Sequence, residues 1–317
     1  MTDKTEKKVI LKFLEACARD KLILPGEKVL VAASGGSDST ALAILSGFLK
    51  NTTAFAYIDH KLREESAQEK IFVRALAARC GCPFYTRSAD VRAFAKKNKN
   101  SLEDAGRDLR YTLLAEICRK SGFDKILTGH TLSDRVETFF IKLLRGGGIQ
   151  SFYGIKRKTL IFSVPVIRPL LDFERSELEN FLKDRKIKFM RDSSNKDTSF
   201  LRNKIRHKLL PYLSKNFGDS VNKRILAVSR QAEELALFIT ENTSGLTGEK
   251  SALDISRYLS YNKFLRKCFL AEYLDKKANS GVVEKIDSFI SEKKGGKFTL
   301  RDFELIIKNG RAYKNAK

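Results

Sequence analysis

The stretch Ser-Gly-Gly-Ser-Asp-Ser, residues 34–39, follows a short apolar run and precedes an apolar period typical of a helix. Two glycines at a turn from strand to helix, Gly35 and Gly36, permit positive φ angles and leave backbone N–H groups unobstructed. Those amides and the N-terminus of the following helix form a cradle for an anion. We therefore predict a phosphate-binding loop, with hydroxyl donors from Ser34, Ser37 and Ser39.

Asp38 is the unusual member of this loop. A carboxylate in a phosphate cradle repels the ligand unless a cation lies between them, so Asp38 is predicted to be a Mg²⁺ ligand. The plainer interpretation is a glycine turn in which Asp38 caps the helix. The presence of all six polar or glycine residues in one turn favours the phosphate-binding interpretation.

Strand-like and helix-like segments alternate through the first half of the chain. Apolar runs at 54–59, 83–87 and 125–130 are separated by helix-length segments, which indicates right-handed βαβ crossovers. The predicted fold is α/β, with a doubly wound, mainly parallel sheet. Ligands bind at the carboxyl ends of such strands. Beside the 34–39 loop, the polar strand exits are Asp59-His60 and Gly129-His130.

The chain is predicted to divide near residue 215. Residues 1–215 would form the catalytic domain and residues 216–317 a helical linker and a smaller α+β domain, which ends in a hairpin with its turn at Asn309-Gly310. Within the first domain, Asp172 is expected to cap a helix. The three glycines at 146–148 indicate a mobile or phosphate-binding loop.

Composition restricts the class of partner. The formal net charge is +23 over 317 residues, which favours a polyanionic partner such as nucleic acid. Residues 151–215 hold 16 basic and 7 acidic side chains, the densest positive stretch. The five cysteines are scattered, no export signal precedes them and no run of about 18 apolar residues exists, so we expect a reduced cytoplasm and no membrane span.

The loop itself resembles a known nucleotide-binding motif. Neither G-x-x-x-x-G-K-[ST] nor G-x-G-x-x-G is present, which excludes a Walker loop and a dinucleotide fingerprint. Ser-Gly-Gly-x-Asp-Ser resembles the pyrophosphate loop (PP-loop) of the N-type ATP pyrophosphatases. The resemblance implies ATP cleavage between the α and β phosphates and an adenine nucleotide alpha hydrolase-like fold.

Later segments narrow the resemblance to the tRNA(Ile)-lysidine synthetase family. They are YIDHKLREES (57–66), SLEDAGRDLRY (101–111), TGHTLSDRVET (128–138), LLRGGG (143–148), RPLL (168–171) and DSSN...FLRNKIRH (192–207). These segments place the main resemblance at residues 28 to about 215. The rest of the chain is similar to the family's first C-terminal domain, and the second C-terminal domain of longer members is expected to be missing. Ser133 replaces an aspartate, which weakens a two-carboxylate metal site there, and Tyr57 and Asp59 replace the commoner His and Asn.

The resemblance implies ATP-dependent joining of L-lysine to the wobble cytidine of an isoleucine tRNA with a CAU anticodon. ATP is then a co-substrate with Mg²⁺, and no obligatory protein partner is evident. Adenylation of the pyrimidine carbonyl oxygen would supply a leaving group. The incoming ε-amine must be neutral, and with a pKa near 10.4 only roughly one molecule in a few thousand is neutral at pH 7. A carboxylate that deprotonates it is therefore expected.

Candidate site residues follow from the matched motifs. Asp134 and Glu137, at i and i+3 of one helix, suit amine recognition, although acidic residues at a helix start also stabilise the helix. Arg110 is assigned to the charge of the phosphate or adenylate, with Arg107 as runner-up. The remaining predicted nucleotide ligands are His60, Gly129 and His130. The predicted tRNA contacts are Arg145, Arg202 and Arg206, for which solvated helix charge is the alternative.

Two rival functions are weighed against this prediction. A tRNA 2-thiolating enzyme would share the loop but would need sulfur-handling cysteines, usually as C-x-x-C pairs, and the sequence has none. A non-catalytic RNA-binding protein would keep the basic surface but has no reason to keep Asp38 within an intact loop. The loop therefore favours an enzyme.

Overall fold

The computed structural model describes residues 2–61, 66–99, 101–190, 201–218, 220–247, 252–274, 280–292, 295–300 and 303–316. Internal contacts divide the chain into two compact units. Unit 1 comprises Met1–Arg135 and Lys156–Asp197, and unit 2 comprises Val136–Ile155 and Thr198–Lys317. The predicted boundary near residue 215 separates a catalytic domain from a C-terminal domain by function. Internal contacts do not test a functional boundary, so it stays a prediction.

Unit 1 is built on a six-stranded sheet within the described residues. Its order is β3-β2-β1-β4-β6-β5, and every neighbouring pair is parallel except β5 with β6. This confirms the predicted doubly wound, mainly parallel sheet. The strands are β1 Val29–Ala32, β2 Thr53–Asp59, β3 Phe84–Ser88, β4 Lys125–Thr128, β5 Lys158–Ile161 and β6 Val164–Ile167.

Helices cover both faces of this sheet, which is why its central strands are continuous apolar runs. Side chains alternate between the faces, so Val29 and Val31 pack into one buried cluster and Leu30 into another. The helices are α1 Thr2–Ala18, α2 Ser37–Ser46, α3 Ser66–Arg79, α4 Val91–Asn98, α5 Leu102–Lys120, α6 Leu132–Leu144 and α7 Arg175–Asp184. The unit division falls within α6, so that its first four residues, 132–135, belong to unit 1 and the rest of the helix belongs to unit 2.

The start of α7 corrects one expectation. Asp172 does not cap the helix, because its carboxylate accepts hydrogen bonds from Arg157 Nη2 at 2.8 Å and Arg19 Nη1 at 3.2 Å. Glu174 is the N-cap residue instead, and its amide donates to Glu177 Oε2 at 2.9 Å, which is half of a capping box. The ion pairs that decide this come from Arg19, just after α1, and from Arg157, just before β5, and no local pattern contains them.

Unit 2 combines helices with a small antiparallel sheet of order β7-β10-β9-β8. The predicted hairpin is confirmed, with Asn309 at φ 52° and Gly310 at φ 70° as a type I′ turn requires. The helices are α8 Leu201–Lys204, α9 Leu210–Phe217, α10 Val221–Asn242, α11 Ile255–Leu259, α12 Lys263–Tyr273 and α13 Ser280–Glu292. The strands are β7 Leu253–Asp254, β8 Gly296–Thr299, β9 Phe303–Lys308 and β10 Arg311–Ala316. A π-helical turn, Ile205–Leu209, joins α8 to α9.

Among the described residues, no helix combines the length and apolar character that crossing a membrane requires. In unit 2 the core includes the fully buried Leu270, Ile286 and Leu305.

Within that core, Tyr258 Oη donates to Asp287 Oδ1 at 2.6 Å, and Asp287 also accepts from Arg266. We expect Tyr258→Phe to lower the free energy of unfolding by about 1–2 kcal/mol, because a buried carboxylate loses one donor. Urea denaturation measures the change. Tyr313→Phe, at a half-buried tyrosine of β10, is the control and should change stability by less than about 0.5 kcal/mol. Equal effects of both variants would contradict the role of the hydrogen bond.

Candidate active site

The loop between β1 and α2 is a tight turn held by its own hydroxyl groups. Gly35 has φ +87°, and Gly36 is the extended N-cap residue of α2. Ser39 Oγ accepts from the Ser34 amide at 3.1 Å and donates to the Gly36 carbonyl at 3.1 Å. Ser39, predicted as a nucleotide ligand, is buried and supports the turn from inside, whereas Ser34 is exposed.

The N-terminus of α2 is suited to an anion. No side chain caps it, and the amides of the first turn have no carbonyl partner within the helix. The first intrahelical bond begins at the Thr40 amide, which donates to Gly36 O at 2.9 Å. Backbone donors and the positive end of the helix dipole therefore point into the strand exit, as a phosphate cradle requires.

Gly129, which follows β4, lies directly against this turn. A Cβ atom at Gly129 would come within 3.1 Å of the backbone of Asp38 and Ser39. Because β1 pairs with both β2 and β4, the loop lies where the order of strands reverses, the usual ligand position in such sheets. A glycine is needed at 129 because two backbone segments touch there.

Asp38 is held by a residue that the sequence analysis missed. Arg175 Nη2 donates to Asp38 Oδ2 at 2.8 Å, and its Nε lies 3.2 Å from the same oxygen. Burial raises the pKa of the Asp38 carboxyl, the Arg175 guanidinium opposes that shift and the charge of Asp134 adds to it. A basic residue at the first position of α7, where the helix dipole disfavours a cation, was the signal that could have found Arg175.

Asp134 lies in the first turn of α6, shortly after Gly129, which abuts the Asp38 backbone, and its charge raises the pKa of the Asp38 carboxyl. Its own Oδ2 accepts from the Thr131 amide at 2.9 Å and from Thr131 Oγ1 at 3.1 Å, which fixes the carboxylate at the start of α6. Two of the predicted catalytic carboxylates are thus brought together. Asp38 with phosphate oxygens and water is a donor set that fits Mg²⁺, and no group of three or more potential metal ligands occurs in the described residues.

His130 is placed as a neutral imidazole. Its Nδ1 lies 2.9 Å from Thr128 Oγ1. Burial and, to a lesser extent, the positive charges of Arg168, Arg110 and Arg107 lower the pKa of His130 to about 3, against the opposing effect of Asp134. At neutral pH the ring therefore offers a hydrogen bond and carries no charge. His60, the other predicted histidine, is half-buried just beyond the end of β2.

A cationic cluster, defined as Arg107, Arg110 and Arg168, surrounds Tyr111. The guanidinium carbons of Arg107 and Arg110 lie 5.6 and 5.4 Å from the Tyr111 ring centroid. Burial raises the pKa of the Tyr111 phenol, but the three guanidinium groups outweigh it and lower the pKa overall. The cluster thus produces a positive field that suits a phosphate or adenylate.

Arg168 was missed as a site residue, although its RPLL segment supported the resemblance. It follows β6 directly, is 2% exposed and donates through Nη1 to Lys156 O at 2.8 Å and to Thr159 Oγ1. Its position at a strand exit, like those of His60 and His130, was the signal that could have identified it. The carboxyl ends of β1, β4 and β6 therefore contribute to the site in unit 1.

Glu137 belongs to unit 2 and is fully buried. Arg206 binds it with both nitrogens of its fork, Nε at 2.6 Å from Oε1 and Nη2 at 2.9 Å from Oε2, and Arg202 Nε lies 3.5 Å from Oε2. Arg202 Nη2 also donates to Thr138 Oγ1 at 3.3 Å. Two of the predicted tRNA contacts thus face an internal carboxylate, and both oxygens of Glu137 are engaged. The amine-binding role of Glu137 and the tRNA roles of the two arginines stay predictions.

The glycine-rich loop after α6 is anchored from within. Lys142 Nζ donates to Ser151 O at 2.7 Å and to Gly154 O at 2.6 Å. A Cβ at Gly147 would lie 2.5 Å from Ser151 Oγ, so close packing explains that glycine. Arg145, the third predicted tRNA contact, is exposed beside this loop. Residues 62–65 and 192–200, which complete two of the motifs, lie outside the described residues.

Comparison with known proteins agrees with the loop and the fold. The family model described as the PP-loop domain matches residues 3–213. The U34-tRNA thiolase NcsA from Methanococcus maripaludis, solved with its 4Fe-4S cluster, has a similar fold, with a TM-score of 0.61 at 16% identity over 74% of this chain and 80% of that one. Fold and site together define a PP-loop protein of the adenine nucleotide alpha hydrolase type.

Curated relatives narrow this class. The tRNA(Ile)-lysidine synthase of Thermosipho africanus is 36% identical over 75% of this chain and 56% of its own length. That of Chlorobaculum tepidum is 33% identical over 80% of this chain and 76% of its own length. The chain belongs to the tRNA(Ile)-lysidine synthase family, and it spans about half the length of several of the relatives that it matches.

The contact at Gly129 generates a test of the site's construction. We expect Gly129→Ala to weaken binding of an ATP analogue at least tenfold, because the new Cβ would push the first turn of α2 away from β4. Isothermal titration calorimetry measures the affinity. Gly106→Ala in α5 is the matched control, since its Cβ would meet Val91 at an ordinary 3.7 Å, and it should leave affinity unchanged. Wild-type affinity in Gly129→Ala would show that the contact does not shape the loop.

The Glu137 network generates a second test. We expect Glu137→Gln to destabilise the protein by about 3 kcal/mol, because two arginines would lose a buried counter-charge. Thermal and urea unfolding give the change. Glu284→Gln removes an exposed carboxylate that pairs with Lys263 and Lys267, and its unfolding midpoint should match the wild type. If the two substitutions behaved alike, the buried network would not be a stabilising element.

Proposed function

We propose that this chain is a tRNA(Ile)-lysidine synthase, a ligase that forms a carbon–nitrogen bond. It would adenylate the wobble cytidine of tRNA(Ile) with a CAU anticodon, and L-lysine would then displace AMP to give lysidine. Codon reading would change from AUG to AUA. The observation that carries the proposal is the anion cradle of α2 with Asp38 and Asp134 beside it, in a chain of this family.

In the first step, the cytidine carbonyl oxygen attacks the α phosphorus of ATP and pyrophosphate leaves. The first-turn amides of α2 and the hydroxyls of Ser34 and Ser37 would hold the departing pyrophosphate. The cationic cluster would stabilise the charge of the adenylate, with Arg110 in the leading role. Asp38 would hold Mg²⁺, whose charge neutralises phosphate oxygens when it is bound.

In the second step, the ε-amine of lysine attacks the 2-carbon of the adenylated base, and AMP leaves with the former carbonyl oxygen. The amine must lose a proton to become a nucleophile. Asp134 supports this role best, because the Thr131 hydrogen bonds hold its carboxylate at the strand exit next to Asp38. Glu137 could take part only if Arg206 released it.

The tRNA would bind through the phosphate backbone. The net charge of +23, with a surplus in residues 151–215, supports a polyanionic ligand and predicts affinity that falls steeply with salt. Arg145 is exposed and suited to such a contact, whereas Arg202 and Arg206 hold Glu137. A cytoplasmic location and action without an obligatory protein partner complete the proposal.

The thiolation alternative has less support. Burial raises the pKa of the thiols of Cys17, Cys118 and Cys268, to about 12, 11 and 11, so they are protonated at neutral pH. The pKa values of the Cys80 and Cys82 thiols are also raised by burial. The similarity to a tRNA thiolase concerns the fold alone.

Incorporation of radiolabelled L-lysine into unmodified tRNA(Ile) with a CAU anticodon tests the function, with AMP and pyrophosphate counted in the same reaction. We expect one AMP for each lysine joined. Asp38→Ala should lower incorporation at least 100-fold and change tRNA affinity less than threefold, because its carboxylate serves the nucleotide. Asp90→Ala, at the N-cap of α4, is the control and should keep wild-type incorporation.

Nucleotide cleavage without lysine transfer would contradict the proposed substrate and leave the pyrophosphatase chemistry in place. Unchanged incorporation in Asp38→Ala would refute the role of Asp38. A non-catalytic RNA-binding protein would give neither AMP nor lysine-tRNA, while it still bound tRNA.

A further inference from the structure

The position of Arg175 runs against local electrostatics. It is the first residue of α7, where the helix dipole disfavours a cation, and its guanidinium lies at the first turn of α2, where the same field acts. The first turn of α7 already has its own stabilising pair, because Lys12 donates to both oxygens of Glu177 at 2.9 and 2.8 Å. Helix stability therefore does not explain an arginine at this position.

The contact with Asp38 does explain it. The Asp38 side chain is only 15% exposed, and a second carboxylate, Asp134, is close enough to affect its pKa. Two neighbouring anions in a loop built for phosphate would repel that ligand. The guanidinium of Arg175, 34% exposed, supplies the compensating charge through two nitrogens.

The Asp38 oxygen that Arg175 occupies is the group assigned above to Mg²⁺. A cation at Asp38 and the guanidinium at the same oxygens would exclude each other, since both need the lone pairs of one small carboxylate. Arginine is also the side chain whose planar fork matches phosphate oxygens, and α7 holds it beside the phosphate cradle.

We propose that Arg175 is a nucleotide-binding residue of the PP-loop site. It neutralises Asp38 while no nucleotide is bound, releases the carboxylate when Mg²⁺ binds there, and then donates to the pyrophosphate portion of ATP. The inference rests on the proposed function for the identity of the nucleotide and the metal, and it needs neither tRNA nor lysine.

Metal binding without nucleotide tests the first part. Mn²⁺, titrated into the nucleotide-free protein and followed by electron paramagnetic resonance, is the probe. We expect Arg175→Gln to bind Mn²⁺ at least tenfold more tightly than the wild type, because the competing cation is gone. In the double variant with Asp38→Asn this gain should disappear. No gain in Arg175→Gln, or a gain that persists in the double variant, would overturn the proposal.

Binding of α,β-methylene ATP in the presence of Mg²⁺, measured by calorimetry, tests the second part. Arg175→Gln should lower that affinity about tenfold, so the two affinities change in opposite directions. If Arg175 had a merely structural role, its loss would lower both the Mn²⁺ and the nucleotide affinity. If it had no role, neither affinity would change. Each of these results would overturn the proposal. Arg185→Gln, which removes the pair with Glu6 at the other end of α7, is the matched control and should change neither affinity.

Arg175→Lys covers the case in which the glutamine variant does not fold. Lysine keeps the charge and loses the fork, so Mn²⁺ affinity should stay within threefold of the wild type while nucleotide affinity falls; wild-type nucleotide affinity would overturn the proposal. The two proposals fail separately. A protein that shows the opposite changes but transfers no lysine would refute the lysidine synthase function and leave the role of Arg175 standing.

Discussion

The backbone contact between Gly129 and the first turn of α2 is the constraint on which the site depends. It brings the exit of β4 to the phosphate cradle with no side chain between them. Because β1 and β4 are neighbours in the sheet, everything attached to either strand exit is carried into one small region. That closeness explains why four kinds of group lie in one region: the amides of the loop, the imidazole of His130, and the carboxylates of Asp38 and Asp134.

The charges within unit 1 are arranged in two ways. Asp38 is compensated by Arg175, so the carboxylate in the phosphate cradle does not act alone. The cationic cluster has the opposite character, because its field outweighs burial and lowers the pKa of Tyr111, and it adds to the effect of burial in lowering the pKa of His130. A compensated carboxylate beside an excess of positive charge leaves a net positive field at this edge of the sheet, which suits an anionic ligand.

Helix α6 carries two carboxylates in different environments. Asp134, at its start, is held by the Thr131 amide and hydroxyl and remains half-buried. Glu137, one turn later, is fully buried and bound by Arg206 and Arg202. The division between the compact units falls after Arg135, between these two residues. One helical turn thus separates a half-buried carboxylate held by Thr131 from a buried carboxylate that binds two arginines.

The sequence by itself determined the parallel sheet, the turn at 34–39, the polar strand exits and the Asn309-Gly310 hairpin. Each of these depends on local features, namely apolar runs, glycines and polar residues that directly follow an apolar run. Such features are visible in a few consecutive residues. Only the tertiary structure decided that Arg175 pairs with Asp38, that Arg206 engages Glu137, and that Asp172 binds Arg157 instead of capping α7. These partners are 137, 69 and 15 residues apart in the chain. Long basic and acidic side chains can reach many partners, so their pairing follows from packing and burial, which no local pattern records.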